Sequence, residues 1–417
     1  MKHISSTPSF VFICITAFLS VLGIGIIIPE IPFIVSKYMH GATDAQIAMN
    51  VGLLISIYSF FQFFAAPGLG ALSDKYGRRP VLLFCLLGSA AGYVLFGIGG
   101  SIGILFLSRI IDGLTGGDLS TIFAYIADVT KPEERGKKFG LIGAIVGVGF
   151  MIGPTIGGLT SLINLSAPFY LAAAVTLLNA AFGYFVLPES LAKEHRMADF
   201  SLHHLNPFAQ LRSVFSDTLI RTILLIGFFY FLPFSQLQGI GGIYSKDVLH
   251  WNPAGIGIYF FVIGIVDIIT QGFLSGKLIH KFGELKLVLA GLFVTGLAYL
   301  GNASLLLFPS SILAYGAVII FAFGSGLIEP SLGGLISRAA SPKEQGRVQG
   351  ANQSLQSITR IVGPLIAAYL YGIVPNAPYL SCAVLSAIAF GYVFSKRKTI
   401  THYIDSRVSQ DRNVVSA

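Results

Sequence analysis

The chain has 417 residues, of which 54% are hydrophobic and only 11% charged, with 27 Lys and Arg against 19 Asp and Glu. A soluble domain is about 25% charged, so too little polar surface remains for a water-soluble fold, and the sequence reads as a polytopic membrane protein. The net charge of +8 does not indicate nucleic acid, because the basic residues sort by loop.

Twelve apolar runs are predicted at 9–31, 46–70, 80–100, 102–127, 138–163, 167–188, 218–242, 253–276, 285–308, 312–337, 346–372 and 376–395. Each can cross a hydrocarbon layer roughly 30 Å thick as a helix. A membrane barrel would show alternating segments of about 10 residues instead. The first run lacks a small-residue cleavage site before Glu30 and is not expected to be removed as a leader. Only Lys37 and Lys246 fall in outer loops and only Arg109 and Arg360 within spans; the other basic residues lie at inner ends, inner loops and tails. That bias predicts cytoplasmic termini. Cys14, Cys85 and Cys382 all lie within spans, with no disulfide or metal-ligand spacing, and no cofactor is expected.

Charged groups at the bilayer centre cost about 2.5–3.5 kcal/mol, which makes them functional candidates. In chain order the first is Glu30 in "IIIPEIPF", expected near the outer interface. The loop after span two reads "GALSDKYGRRPVLL" and holds Gly70, Asp74, Gly77, Arg78 and Arg79. Asp74 can sit at the positive start of another helix. Arg78 can pair with Asp128 of "AYIADVT", while Gly70 and Gly77 would permit close approach and a tight turn. Span four carries "SRIIDGLTGGDLSTIF". Asp112 shares a helix face with Arg109, so a local pair is expected, whereas Asp118, nine residues on in a continuous helix, would face elsewhere and suits a proton carrier. Span five, "GAIVGVGFMIGPTIGG", holds Gly149, Gly153, Pro154, Gly157 and Gly158, which let a helix bend and neighbours pack closely.

The polar stretch from Pro188 to Arg221 reads as a linker, and its His203 and His204 have no partner ligands at metal spacing. Span seven's "FFYFLPFSQLQG" offers Phe228, Tyr230, Phe234, Gln236 and Gln238 for an amphipathic organic ligand. Asp267 lies mid-way along span eight, Glu329 in span ten, and Arg360 in span eleven as a counter-ion candidate. The two sides of the linker repeat each other. "GALSDKYGRRPVLL" aligns with "GKLIHKFGELKLVL" at an offset of 206; Pro132, Glu134 and Gly136 meet Pro342, Glu344 and Gly346 at 210, and Gly153-Pro154 meets Gly363-Pro364. Glu329 falls almost at the repeat position of Asp118. The expected organisation is a six-helix bundle over 1–188, a linker over 189–217, a second bundle over 218–395 and a tail over 396–417. Duplicated halves are a transporter plan, with substrate bound between them.

Gly70, Leu72, Asp74, Lys75, Gly77, Arg78 and Arg79 meet the signature G-x-L-x-D-[RK]-x-G-R-[RK], and the chain resembles the major facilitator superfamily. The resemblance implies an all-α membrane fold of twelve helices in two pseudo-symmetric six-helix bundles. It implies a cytoplasmic latch of Gly70, Asp74, Gly77, Arg78, Arg79 and Asp128, with Asp74 near the start of span eleven. Gly153-Pro154 with Gly157-Gly158 resembles the family's antiporter motif, which symporters mostly lack. The branch most similar is the tetracycline/proton antiporter and multidrug efflux group, on "GIGIIIPEIP", "DKYGRRPVLL", "YIADVT" and the span-five motif. The chain departs where substrate is read: Ser20 and Gly92 stand where tetracycline pumps carry acids, and Asp267 where they carry a histidine. The implied activity is proton-coupled export of a small organic compound, a proton symporter importing a metabolite being the alternative. Proton coupling falls to Asp118, Glu329, Asp267 and Glu30. The substrate cavity is expected to involve Arg109, Asp112, Tyr230, Phe234, Gln236, Gln238 and Arg360. The expected partners are a small-molecule substrate, protons and the lipid bilayer, with no nucleic acid and a monomeric chain. An enzyme is not expected, since the sequence has no nucleotide loop, metal cluster or nucleophile motif.

Overall fold

Helices account for every regular element among the described residues of the computed structural model, which are 7–130, 132–192, 194, 196, 197, 215, 217–340 and 345–415. His203, His204 and most of the 189–217 segment lie outside them, as do Pro342 and Glu344 of the repeat. The first predicted span is bent: α1 (Thr7–Ile26) passes through a short turn at Ile28–Glu30 into α2 (Ile31–Tyr38). Pro29 and Pro32 cannot donate the backbone hydrogen bonds that a straight helix needs there. Then follow α3 (Asp44–Tyr76) and α4 (Arg78–Ile98). Span four is two helices, α5 (Ile102–Thr115) and α6 (Asp118–Val129), followed by α7 (Pro132–Thr160) and α8 (Ala167–Val186).

The later chain forms α9 (Thr218–Leu249), then α10 (Pro253–Ile269), which passes through a π-helical turn at Thr270–Leu274 into α11 (Ser275–Phe282). α12 (Glu284–Ser304), α13 (Ser311–Ala339), α14 (Gln345–Ile373) and α15 (Ala377–Val415) complete it. α15 continues through Val415, well past the expected span end at 395. Among the described residues ten helices are long and apolar enough to cross a membrane. The two predicted spans missing from that set have plain reasons. Span four is split at Gly116–Gly117, and α14 carries Asn352, Gln353, Gln356 and Arg360 within two and a half turns.

The chain divides into two units, one of Met1–Pro207 with Ser245–Gly264, the other of Phe208–Tyr244 with Ile265–Ala417. In the first, α1 packs on α7 and α8, and α4 on α5 and α8. Its core holds Phe12, Ile13, Leu82, Leu86, Tyr125 and Ile126. In the second, α12 packs on α13 and α15. Leu224, Ile226, Val288, Leu292, Ile328 and Leu335 centre its core. Large apolar side chains also face outward, with Phe185 82% and Ile312 87% exposed. Water would penalise such a surface; acyl chains do not.

Candidate functional site

At the inner end of the first unit, α3 stops at Gly77, whose φ of +111° is one that only glycine adopts without strain. The turn delivers Arg78 as the first residue of α4. Its Nη1 lies 2.6 Å from Asp74 Oδ1 and donates to Ser73 Oγ at 2.6 Å, while its Nε donates to Asp128 Oδ2 at 3.0 Å. Arg78 is buried, while Asp74 and Asp128 keep part of their surface in solvent. Two further residues, not anticipated from sequence, complete the cluster. Glu189 accepts the backbone N–H groups of Arg78 and Arg79 at 2.8 and 3.3 Å, an anion on a helix start, and Ser190 donates to Asp128 at 2.9 Å. The signal was an acid directly after span six, in "LPES". Arg79 donates to the Tyr184 carbonyl and lies over its ring at 5.5 Å. The close-approach reading of Gly70 does not hold, since a Cβ there would meet no atom of the described residues within 4 Å.

Deeper in this unit Arg109 and Asp112 form a buried pair at 3.2 Å. The guanidinium lies 4.8 Å from the Phe96 ring centroid and within 6 Å of those of Tyr58 and Tyr93. Cation–π attraction favours that setting, and three aromatic rings also exclude water. Asp118 departs from its expected geometry. The helix breaks at Gly116–Gly117, so Asp118 is not half a turn round from Arg109 on one continuous cylinder. It is instead the first residue of α6, buried, where the free N–H groups of a helix start favour a carboxylate. Ser20 is buried, and a Cβ on Gly92 would stand 3.0 Å from Asp112 Cβ and 3.1 Å from the Ser108 carbonyl. A side chain at position 92 would crowd Asp112 and the backbone of α5. Glu30, expected near the outer end of span one, is fully buried in the protein at the bend between α1 and α2. Neither of its carboxyl oxygens has a hydrogen-bond partner among the described residues.

Span five shows why it is glycine-rich. A Cβ on Gly149 would lie 3.0 Å from the Phe18 carbonyl, and one on Gly153 2.8 Å from Gly25 Cα. On Gly157 it would collide with the Ile26 carbonyl. Glycines spaced four apart form one stripe against α1. Gly158 turns instead to Pro253 and Ala254, and Pro154 meets Gly257, where Thr155 Oγ1 donates to the Gly257 carbonyl at 3.2 Å. This packing is why Ser245–Gly264 belongs with the first unit.

The second unit bears an open cavity of about 310 Å³ between α9, α13 and α14. Phe231, Phe234 and Ser235 line it from α9, Glu329 and Leu332 from α13, and Asn352, Gln356, Thr359 and Arg360 from α14. Glu329 accepts from Tyr230 Oη at 3.3 Å and from Gln271 Nε2 at 3.5 Å, while Ser325 Oγ donates to Asp267 Oδ1 at 2.8 Å. The π-helical turn beginning at Thr270 sits between Asp267 and α11 and carries Gln271. Phe234, Tyr230, Glu329 and Arg360 are thus brought together. Gln236 is not among them: it is fully buried and accepts from Ser381 at 2.7 Å on α15. Gln238 is partly buried and does not line the cavity. Asn352, Gln356 and Thr359 were missed, although polar residues at steps of four and three within a span mark a helix face.

The repeat is legible in the geometry of the inner ends. Gly283, the counterpart of Gly77, also has a positive φ (+81°) and precedes α12 as Gly77 precedes α4. Glu284 holds the position of Arg78 and Arg338 that of Asp128, and these two pair at 3.1 Å. The ion pair has been kept with its signs exchanged.

Duplicated membrane-crossing helices with a cavity walled by polar and aromatic side chains are the plan of a multi-pass transporter. Residues 13–364 match the family model of the Major Facilitator Superfamily, and the chain belongs to that family. It is 35% identical over 367 residues to the tetracycline resistance protein, class C, of Escherichia coli, covering 88% of this chain and 90% of that one. It is 28% identical over 391 residues to multidrug resistance protein 2 of Bacillus subtilis (strain 168), covering 92% and 93%. The crystal structure of the human organic anion transporter MFSD10 (TETRAN) matches with a TM-score of 0.71 at 25% identity, over 93% of this chain and 99% of that one.

Proposed function

We propose that the protein is a proton-coupled antiporter that exports a small, drug-like or amphipathic organic compound across the cytoplasmic membrane by alternating access. It acts as a monomer with both termini in the cytoplasm. The observation that carries the reading is Glu329: a carboxyl group in the wall of a cavity with two aromatic rings, held by the neutral donors Tyr230 and Gln271 and sharing that cavity with Arg360. Neutral donors can serve a carboxylate and release a carboxylic acid without leaving an unpaired charge of their own. A proton on Glu329 therefore changes the charge of the cavity by one, and with it the affinity for cargo. Asp118 occupies the near-equivalent repeat position in the first unit and acts as its partner acid, with Asp267 and Glu30 as further proton-holding groups. The Arg78 cluster is the cytoplasmic latch, stable in one access state and opened in the other. Similarity to tetracycline and multidrug resistance proteins supports export. Ser20, Gly92 and Asp267 stand where tetracycline pumps read their drug, so the cargo is a different compound.

Purified protein in vesicles with an imposed pH gradient tests this. Asp118→Asn and Glu329→Gln are each expected to uncouple cargo movement from proton flow. Undiminished coupling in both variants would reject the assignment, and uptake in the direction of proton flow would reject antiport.

A further inference from the structure

The second unit has a second concavity that shares no residue with the cavity at Glu329: an apolar trough of about 210 Å³ between α12 and α15. Phe293, Gly296, Leu297 and Leu300 wall it from α12, and Ala387 and Phe390 from α15. Phe293, Leu297 and Leu300 are each about half exposed, so the trough opens outward to the membrane. Gly296 keeps its floor clear: a Cβ there would face Ser386 Cβ at 3.7 Å, and any longer side chain would occupy the space. The two helices run antiparallel, since Phe293 lies beside Phe390 with ring centroids 6.5 Å apart while Gly296 faces Ser386.

Both walls lead to a cation at the same end. On α12 the exposed positions 286, 293, 297 and 300 repeat at helical spacing and place Lys286 on the face of the trough. On α15 the same face carries Ala383, Ala387, Phe390, Phe394 and Arg397. Phe390 stacks on Phe394 at 6.2 Å, and the Arg397 guanidinium lies 3.8 Å from the Phe394 centroid. Lys286 is seven residues from Phe293 and Arg397 seven from Phe390, so each cation stands about 10 Å beyond the aromatic pair. No Asp or Glu occurs in 285–308 or 377–404. Among the described residues neither cation forms an ion pair.

We propose that this flank binds an anionic phospholipid, with one acyl chain in the trough and its phosphate between Lys286 and Arg397. The chemistry matches at both ends. An apolar furrow accepts methylenes, and a guanidinium offers paired N–H donors to phosphate oxygens. A zwitterionic lipid brings its own ammonium group to the same two cations and is disfavoured there. Helix-boundary basic sites of this kind select anionic head groups.

Native mass spectrometry of the full-length protein in detergent tests the site, with phosphatidylglycerol, phosphatidylcholine of the same chains and glycerol phosphate as probes. The expected result is one phosphatidylglycerol retained per chain in preference to phosphatidylcholine, with no comparable retention of glycerol phosphate. A basic residue beside an anionic lipid contributes about 1 kcal/mol, so Lys286→Gln and Arg397→Gln should each weaken retention about five-fold and the pair about 25-fold. Ala387→Phe, which fills the trough and leaves both charges, should abolish the preference for lipid over glycerol phosphate. Equal retention of the two lipids by the unsubstituted protein overturns the proposal without any variant. So does full retention in the doubly substituted chain, or a dimer whose formation excludes lipid from the trough.

Discussion

Gly153 offers the sharpest test of the packing in the first unit. A methyl group at this position would stand 2.8 Å from Gly25 Cα and 2.9 Å from the Leu22 carbonyl. Both are backbone atoms, so no side-chain rotation can relieve the clash and α1 must move away from α7. Overpacking of this kind costs about 1–3 kcal/mol. For a unit of 150–250 residues that is a fall in Tm of about 2–4 °C per kcal/mol. Gly147 lies on the same helix, where a Cβ would meet nothing within 4 Å. Gly147→Ala should therefore be neutral or stabilising by about 0.5–1 kcal/mol, the ordinary gain of alanine inside a helix. Unfolding can be followed with a thiol-reactive fluorogenic dye in a chain whose Cys14 and Cys382 are replaced by Ser, since the remaining thiol, Cys85, is fully buried on the inner face of α4 and reacts only when the first unit opens. The expected outcome is a lowered midpoint for Gly153→Ala and none for Gly147→Ala. If the two variants melt together, the close contact between α1 and α7 does not limit stability and the account of the glycine stripe is wrong.

The two inner-end ion pairs should differ in worth. Arg78→Gln removes a buried guanidinium from two partly exposed carboxylates and should cost about 1.5–3 kcal/mol. The Arg338 side chain is 54% exposed, so Arg338→Gln should cost less than about 1 kcal/mol; equal shifts in Tm would contradict this. Tyr230→Phe removes one donor from Glu329, a bond to a charged group being worth about 1.5–3 kcal/mol. On the proposed mechanism, initial transport rates in vesicles should fall about ten-fold or more with the melting temperature little changed, and an undiminished rate would remove Tyr230 from the coupling site.

Much of this arrangement could be read from the residues, and what could not has physical causes. Apolar run length located the helices because a bilayer demands it, and repeat spacing located Gly77 and Gly283 because two turns of one shape need the same backbone freedom. The Arg78–Asp128 and Arg109–Asp112 pairs follow from charge placed at matching helix ends and at three-residue spacing. Asp118 was misplaced because "TGGD" looks like small-residue packing inside a helix. The same letters also spell a stop and a restart, two glycines followed by an acid in the first turn. The full burial of Glu30 was not legible because hydropathy treats the first span as a straight rod, and Pro29 and Pro32 bend this one. Gln236 shares its strip of α9 with true cavity residues; only the position of Ser381 on α15 reveals that it faces the other way.

The exchanged signs of the Arg78–Asp128 and Glu284–Arg338 pairs bear on how the duplicated gene has diverged. The turns are superposable in shape and no longer interchangeable in content. A chimera carrying the 74–84 segment in place of 280–290 would set an arginine against Arg338, and the reciprocal graft would oppose Glu284's carboxylate to Asp128. Recombination between the halves is thereby discouraged at a segment where the repeat is still recognisable in sequence.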